Sequence, residues 1–305
     1  MATYIRKARL KNNEIIPLNM DFMFTTIFNK EKNIYVLEVF LSDYLEIPLS
    51  SVKGNLKILK RKLLINNKRE ASNEVDLVLN YNGKLINIEL SNERKSIGII
   101  ERNIVFACKI HGGELEYGNN DYKDIDDTIQ INLNNFRCNK EKLVNKYYLA
   151  DIENKKILTT KFRIDMVDLV LGSKMCYNIN DRLSKWCRLL LTKKQDELYD
   201  LSIYLLGSER GGEFMSEVEM LCSDDEYIGL YTKLSKKELE YNTYIAEAKE
   251  EGFNNGFNNG FSSGEKSGER SKQLEIAKNL ISKNVDMDFI IDVTGLTKEQ
   301  ISTLY

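Results

Sequence analysis

Residues 73–91 read NEVDLVLNYNGKLINIELS, and the reading of this stretch decides the fold. From Glu74 to Leu79 acid and aliphatic residues alternate, and Leu85 to Leu90 alternates again around β-branched positions. A period of two over runs this short marks a strand. Between the runs, Asn82-Gly83 is the strongest short hairpin signal, because a type I′ turn needs two residues that tolerate positive φ. With those two as the loop, Tyr81 faces Lys84, Val78 faces Asn87, Asp76 faces Glu89 and Glu74 faces Ser91.

Directly opposed residues of an antiparallel pair hold their Cβ atoms about 4.5–5.5 Å apart, and like charges there are destabilising. A divalent cation between Asp76 and Glu89 would turn that repulsion into attraction, and hard oxygen ligands suit magnesium or manganese. The competing reading leaves both acids on a water-facing strand surface at a small cost.

The pattern beyond the hairpin resembles a known family. Asp76, followed by Glu89-Leu90-Ser91, is similar to the D-x(n)-(D/E)-x-K core of PD-(D/E)XK nucleases. More narrowly it resembles the recombination-promoting nucleases, the PD-(D/E)XK nuclease family transposases. Asp21-Phe22-Met23-Phe24 with Ile27-Phe28 resembles that family's opening helix. Arg102 with Phe106, the stretch from Tyr117 to Ile131, and Asp181-Arg182-Leu183 with Trp186 resemble its later segments in order. The glycine-every-fourth tail and the ending around Thr294-Gly295-Leu296 are also in character. The resemblance implies an α/β fold, a restriction-endonuclease-like core with added helices. It also implies Mg2+ or Mn2+ held by Asp76, Glu89 and the backbone carbonyl of Leu90, with DNA as substrate. Ser91 stands where the superfamily has lysine and this branch usually glutamine. Lys95, Arg102 and Lys109 are the neighbouring cations that could supply the missing group. Two functions stay open: a metal-dependent DNA endonuclease of recombination or transposition, and a catalytically degenerate fold that binds DNA or a protein partner.

Composition narrows the rest. The 305 residues carry a net charge of −2, so any nucleic-acid contact has to be local. The clearest basic stretch is 53–69, with Lys53, Lys57, Lys60, Arg61, Lys62, Lys68 and Arg69 and no acid, leading into the hairpin. In a nuclease, Lys60, Arg61, Lys62, Lys68 and Arg69 would neutralise phosphates beside the cut; the bland alternative is a solvated strand pair with charged edges. The five cysteines form no CxxC pair, which argues for reduced thiols in a cytoplasm. No apolar run approaches ~20 residues, so no membrane span is expected, and the first residues lack the apolar region of a signal peptide. The single histidine, His111, excludes HExxH and two-histidine chemistry and reads as a turn residue beside Gly112-Gly113. Pro17 and Asn19-Met20-Asp21 precede a helical stripe, and Asp21 reads as its cap rather than as a neighbour of the site.

Four segments are expected: a nuclease core over 1–138, a helical extension over 139–250, a Gly-repeat linker over 251–270 and a small helical tail over 271–305. Gly252, Gly256, Gly260, Gly264 and Gly268 each cost a helix about 1 kcal/mol relative to alanine, which favours a flexible linker. The tail reads as a dimerisation or docking element, giving a homodimer through the C-terminal region.

Overall fold

The hairpin forms in the expected register, with Tyr81 paired to Lys84, Leu79 to Ile86 and Leu77 to Ile88. Asn82 and Gly83 take φ of 50° and 83°, the two positive values that a type I′ turn requires. The structure is a computed structural model, describing residues 9–59, 75–92, 98–112, 125–138, 141–177 and 181–304. Lys60, Arg61, Lys62, Lys68, Arg69 and Lys95 therefore lie outside the described residues, as do Glu74 and Tyr117.

In chain order the helices are α1 (Asp21–Phe28), α2 (Ile34–Leu45), α3 (Leu49–Val52), α4 (Ile99–Gly112), α5 (Leu169–Met175), α6 (Arg182–Leu191), α7 (Gln195–Leu206), α8 (Ser208–Cys222), α9 (Asp225–Ile281), α10 (Met287–Thr294) and α11 (Lys298–Ser302). The strands are β1 (Leu56–Leu59), β2 (Leu77–Tyr81), β3 (Lys84–Ser91), β4 (Thr128–Asn134), β5 (Val144–Tyr148), β6 (Ala150–Asp151), β7 (Lys156–Ile157) and β8 (Phe162–Asp168). Six of them make one mixed sheet in the order β1-β2-β3-β4-β8-β5, and β6 and β7 form a separate two-stranded ribbon. The hairpin supplies antiparallel neighbours, whereas β3, β4 and β8 run parallel. A parallel pair needs a crossover connection, and the β3-to-β4 connection contains α4.

The two sheet faces differ in chemistry. Ile86, Ile88 and Leu90 of β3 and Ile129, Ile131 and Leu133 of β4 join the main core with side chains from α1, α2, α6, α7 and α8. On the other face, Val78 and Leu85 pack on Phe106 and Ile110 of α4. Between them, that face carries Asn87, Glu89, Ser91, Gln130, Asn132 and Asn134, all buried. Buried polar side chains in such a row stay only if hydrogen-bonded to one another, which fixes their rotamers.

Four expectations from sequence are corrected. Residues 139–250 are not helical throughout: β5 and β8 are strands of the central sheet, and β8 reads FRIDMVD with an apolar residue at alternate positions. The sheet of the nuclease core thus extends past residue 138. Asp21 is the first residue of α1, with Met20 in the cap position and no side-chain cap bond. The Gly repeat is helical, since α9 runs unbroken through it. Four-residue spacing brings Phe253, Phe257 and Phe261 into successive ring contacts at 6.3 Å, the i,i+4 pairing that supports a helix glycine would weaken. His111 also lies inside α4 rather than in a turn, its Nδ1 2.9 Å from Thr128 Oγ1.

The chain divides into two compact units, Met1–Thr232 and Lys233–Tyr305. The second has its own small core of Ala277, Ile290, Leu296 and Ile301. Gly295, in the left-handed conformation, ends α10, and a capping box between Thr297 and Gln300 starts α11.

In the first unit, Trp186 is 1% exposed, stacks edge-on against Phe40 at 5.6 Å and donates Nε1–H to Asp43. Its helix is capped by Asp181, whose carboxylate accepts from the backbone N–H groups of Leu183 and Ser184. Asp181→Ala should lower the stability of this unit by about 1 kcal/mol. Urea unfolding followed by Trp186 emission, the only tryptophan signal, should show a lower midpoint at unchanged slope.

Candidate active site

The turn, not the carboxylates, sets the site's geometry. Once Asn82-Gly83 fixes the register, Asp76 falls one residue before β2, beside Glu89 on β3. The Asp76 N–H donates to Glu89 Oε1 at 3.3 Å, and Asp76 Oδ2 accepts from Leu90 N–H at 2.7 Å. The Asp76 carbonyl accepts from Asn29 Nδ2, one residue past α1. Both carboxyl groups are thus tied to the backbone of the opposite strand.

Burial works against their charge. Glu89 is 3% exposed. Burial first, then the Asp76 carboxylate, pushes its carboxyl up to about 8 from an ordinary 4.5. The Asn87 amide, the Asp76 N–H and Arg102 pull the other way without cancelling the rise. Burial also raises Asp76, with Asp21 adding repulsion and the Leu90 N–H and Arg102 opposing. Among the described residues neither carboxylate of this pair has a salt-bridge partner.

Asn87 donates Nδ2–H both to Glu89 Oε1 at 3.1 Å and to Gln130 Oε1 at 2.7 Å. Gln130 in turn donates to Asn132 at 3.0 Å, and Asn132 to the carbonyl of Asp165 at 3.1 Å. The chain of amides crosses three strands and holds Glu89 toward Asp76.

Ser91, at the end of β3, accepts a hydrogen bond from Arg102 Nη2 at 3.1 Å. Arg102 lies in the first turns of α4, with its guanidinium 5.8 Å from the Phe106 ring. Of Arg102 and Lys109, the two candidates for the Ser91 position within the described residues, the structure brings Arg102 there. Lys109 lies seven residues further along α4, about 10 Å of helix rise away.

On sequence alone Asp21 reads as a cap and Asn92 is not singled out. Asn92 donates Nδ2–H to Asp21 at 3.2 Å and to the Asn19 carbonyl at 2.6 Å, joining the start of α1 to the end of β3. Asn135 donates its N–H to the Ser91 carbonyl at 2.8 Å and closes the same corner from β4. A signal for the amide row did exist: TIQINLN places Thr, Gln, Asn and Asn at every second position of β4.

Two clefts in this unit lie apart from these residues. One of about 320 Å³ borders Arg188 and Glu197, and one of about 510 Å³ borders Tyr35 and Arg210. Each contains an ion pair, Arg188–Glu197 in the first and Arg210–Glu213 in the second.

A mixed sheet with an acid-bearing hairpin, a crossover helix and flanking helices defines a nuclease-type α/β core. The family model for PD-(D/E)XK nuclease family transposases matches residues 18–248, and the chain belongs to that family. No curated protein and no solved structure matches the chain. Nucleases of the PD-(D/E)XK class generally use divalent metals. The residues present fit such an ion: the buried carboxyl of Glu89 and the half-buried one of Asp76 face each other with hard oxygen donors and no salt-bridge cation among the described residues.

The raised carboxyl of Glu89 has a thermodynamic signature. Its folded value of about 8 lies above the ordinary 4.5, so the metal-free fold binds this proton more tightly than the unfolded chain. Stability therefore falls as pH rises from 4.5 to about 8. In chelator, the wild-type melting temperature should decline across that window relative to Glu89→Gln, and the gap should close at the acid end. Parallel profiles for the two proteins would contradict this.

Proposed function

We propose that the protein is a metal-dependent DNA endonuclease, hydrolysing phosphodiester bonds in recombination or transposition. The observation that carries this reading is the pairing of half-buried Asp76 with buried Glu89, lacking a salt-bridge cation among the described residues and set beside the Arg102–Ser91 contact. Asp76 and Glu89, with the Leu90 carbonyl, would hold Mg2+ or Mn2+. When bound, such an ion lowers the pKa of a water and stabilises charge on the scissile phosphate.

The protein's own groups have separable roles. Asn87 fixes the Glu89 rotamer, and the Leu90 N–H does the same for Asp76. Arg102 supplies the positive charge that Ser91 lacks, close to where a pentavalent phosphate would build up negative charge. A preorganised cation of this kind contributes about 100-fold or more to a rate. The basic residues at 60–62, 68 and 69 would meet the DNA backbone, and the cysteine usage supports a reducing, cytoplasmic setting.

Ser91 itself favours a second reading, a degenerate nuclease that binds DNA without cutting it. The two differ in a plasmid-nicking assay with Mg2+ or Mn2+. The endonuclease reading expects nicking that chelator, Asp76→Ala and Glu89→Ala each abolish. It also expects Arg102→Ala to lower the rate by about 100-fold or more. A wild type that binds plasmid and nicks it with neither metal would establish the degenerate reading.

A further inference from the structure

Ile152 and Leu158 are the two most exposed large apolar side chains among the described residues, at 89% and 79%. Both belong to the ribbon of β6 and β7, which sits between edge strand β5 and strand β8 of the main sheet. Leu149 and Ile157 of the same ribbon, and Tyr147 at its base, are exposed as well. The register puts Leu149 and Leu158 on one face of the ribbon and Ile157 on the other, so both faces carry exposed apolar side chains, a feature of interaction sites.

The ribbon is held rigid in water. Asp151 pairs with Lys156 and Ala150 with Ile157, and the Leu158 N–H donates to the Leu149 carbonyl at 2.9 Å. The Asp151 carboxylate closes the turn, accepting from the Glu153 N–H, the Asn154 N–H and the Asn154 side-chain amide. Lys155 takes a positive φ of 53° to complete it. These hydrogen bonds maintain a conformation that leaves Ile152 in solvent, so the apolar tip is preorganised rather than frayed.

Its surroundings are basic. Between residues 141 and 161 there are five lysines and three acids, a local excess of positive charge in a chain whose net charge is −2. Lys142, Lys146, Lys155 and Lys156 are exposed, and none is in an ion pair among the described residues. The lysine excess of the segment 141–161, around exposed aliphatic side chains, complements a polyanion that also offers apolar surface. Duplex DNA is such a partner: its major groove admits a two-stranded ribbon, thymine methyls accept aliphatic contact, and phosphates flank both sides.

We propose that the β6–β7 ribbon is a second DNA contact, placing Ile152 and Leu158 against base edges and Lys155 and Lys156 on phosphates. The proposal rests on the reading of the protein as a DNA-acting nuclease. The sheet register sets the ribbon apart from the carboxylates. Tyr148 at its base pairs with Arg163, whereas Glu89 lies level with Asn132 and Met166, three strand positions away across the sheet. With strands about 4.8 Å apart and residues about 3.3 Å apart, the ribbon tip is on the order of 20–30 Å from Glu89. One duplex could touch both.

The test is binding of a fluorescent 20-base-pair duplex by the full chain in chelator, measured over a range of salt. Ile152→Ser with Leu158→Ser should weaken binding about tenfold or more, the worth of burying an aliphatic side chain, without changing the salt dependence. Lys155→Gln with Lys156→Gln should flatten the slope of log affinity against log salt by about 1.8. Trp186 emission and melting temperature should be unchanged in both, because these side chains lie in solvent. Binding of both variants within twofold of wild type would overturn the proposal. So would a wild type that binds no duplex, or one whose ribbon substitutions abolish binding to phosphatidylserine-containing vesicles and leave DNA binding intact. A wild type that binds through the ribbon yet nicks no plasmid would defeat the nuclease reading alone. Nicking with ribbon variants unimpaired in binding would defeat the ribbon alone.

Discussion

Two carboxylates facing each other across a hairpin are the constraint on which the rest of this structure depends. Two unit charges about 5 Å apart repel by about 3 kcal/mol at an effective dielectric of ~20, and burial adds a desolvation cost. A fold bears this only if something pins both groups and something else neutralises them. The pinning is visible: Leu90 N–H on Asp76, Asp76 N–H and the Asn87 amide on Glu89. Burial and the neighbouring Asp76 carboxylate push the Glu89 carboxyl up to about 8, so that a proton on Glu89 relieves the repulsion. The proposed metal takes that proton's place.

The polar sheet face follows from the same constraint. Parallel strands buried on both sides are ordinarily apolar throughout. Here β3 and β4 keep Asn87, Gln130, Asn132 and Asn134 under α4, while their other face is wholly aliphatic. Side-chain amides can each donate and accept, so a row of them carries orientation across strands to Glu89 without introducing another charge. Arg102, reaching from α4 to Ser91, opposes the rise of both carboxyls without forming a salt bridge to either.

What was legible in the sequence is local or periodic. Asn82-Gly83 dictated the turn, the turn dictated the register, and the register set Asp76 against Glu89. Trp186 and Asp181 were recognised by their place in the family pattern. Less was legible where tertiary contact decides. Arg102, Lys95 and Lys109 were equivalent on paper, and only the packing of α4 over β3 separates Arg102 from Lys109. Asp21 read as a cap because acids are common at helix starts; its role as a neighbour of Asp76 depends on how α1 docks. The strand β8 was hidden among helical patterns because its alternation includes Asp165 and Asp168, both buried through partners distant in sequence. The Gly repeat was read by propensity; ring contacts between residues four apart, at about 0.2–0.5 kcal/mol per pair, offset only part of the glycine cost, and the continuous helix has no fuller explanation in these contacts.

The most direct measurement of the central claim is calorimetric titration of the protein with Mn2+ at pH 7 in buffers of different ionisation enthalpy. One ion should bind and release close to one proton, because Glu89, with its carboxyl near 8, is largely protonated beforehand. Asp76→Asn should abolish that event. Binding without proton release, or binding that survives Asp76→Asn undiminished, would contradict the account.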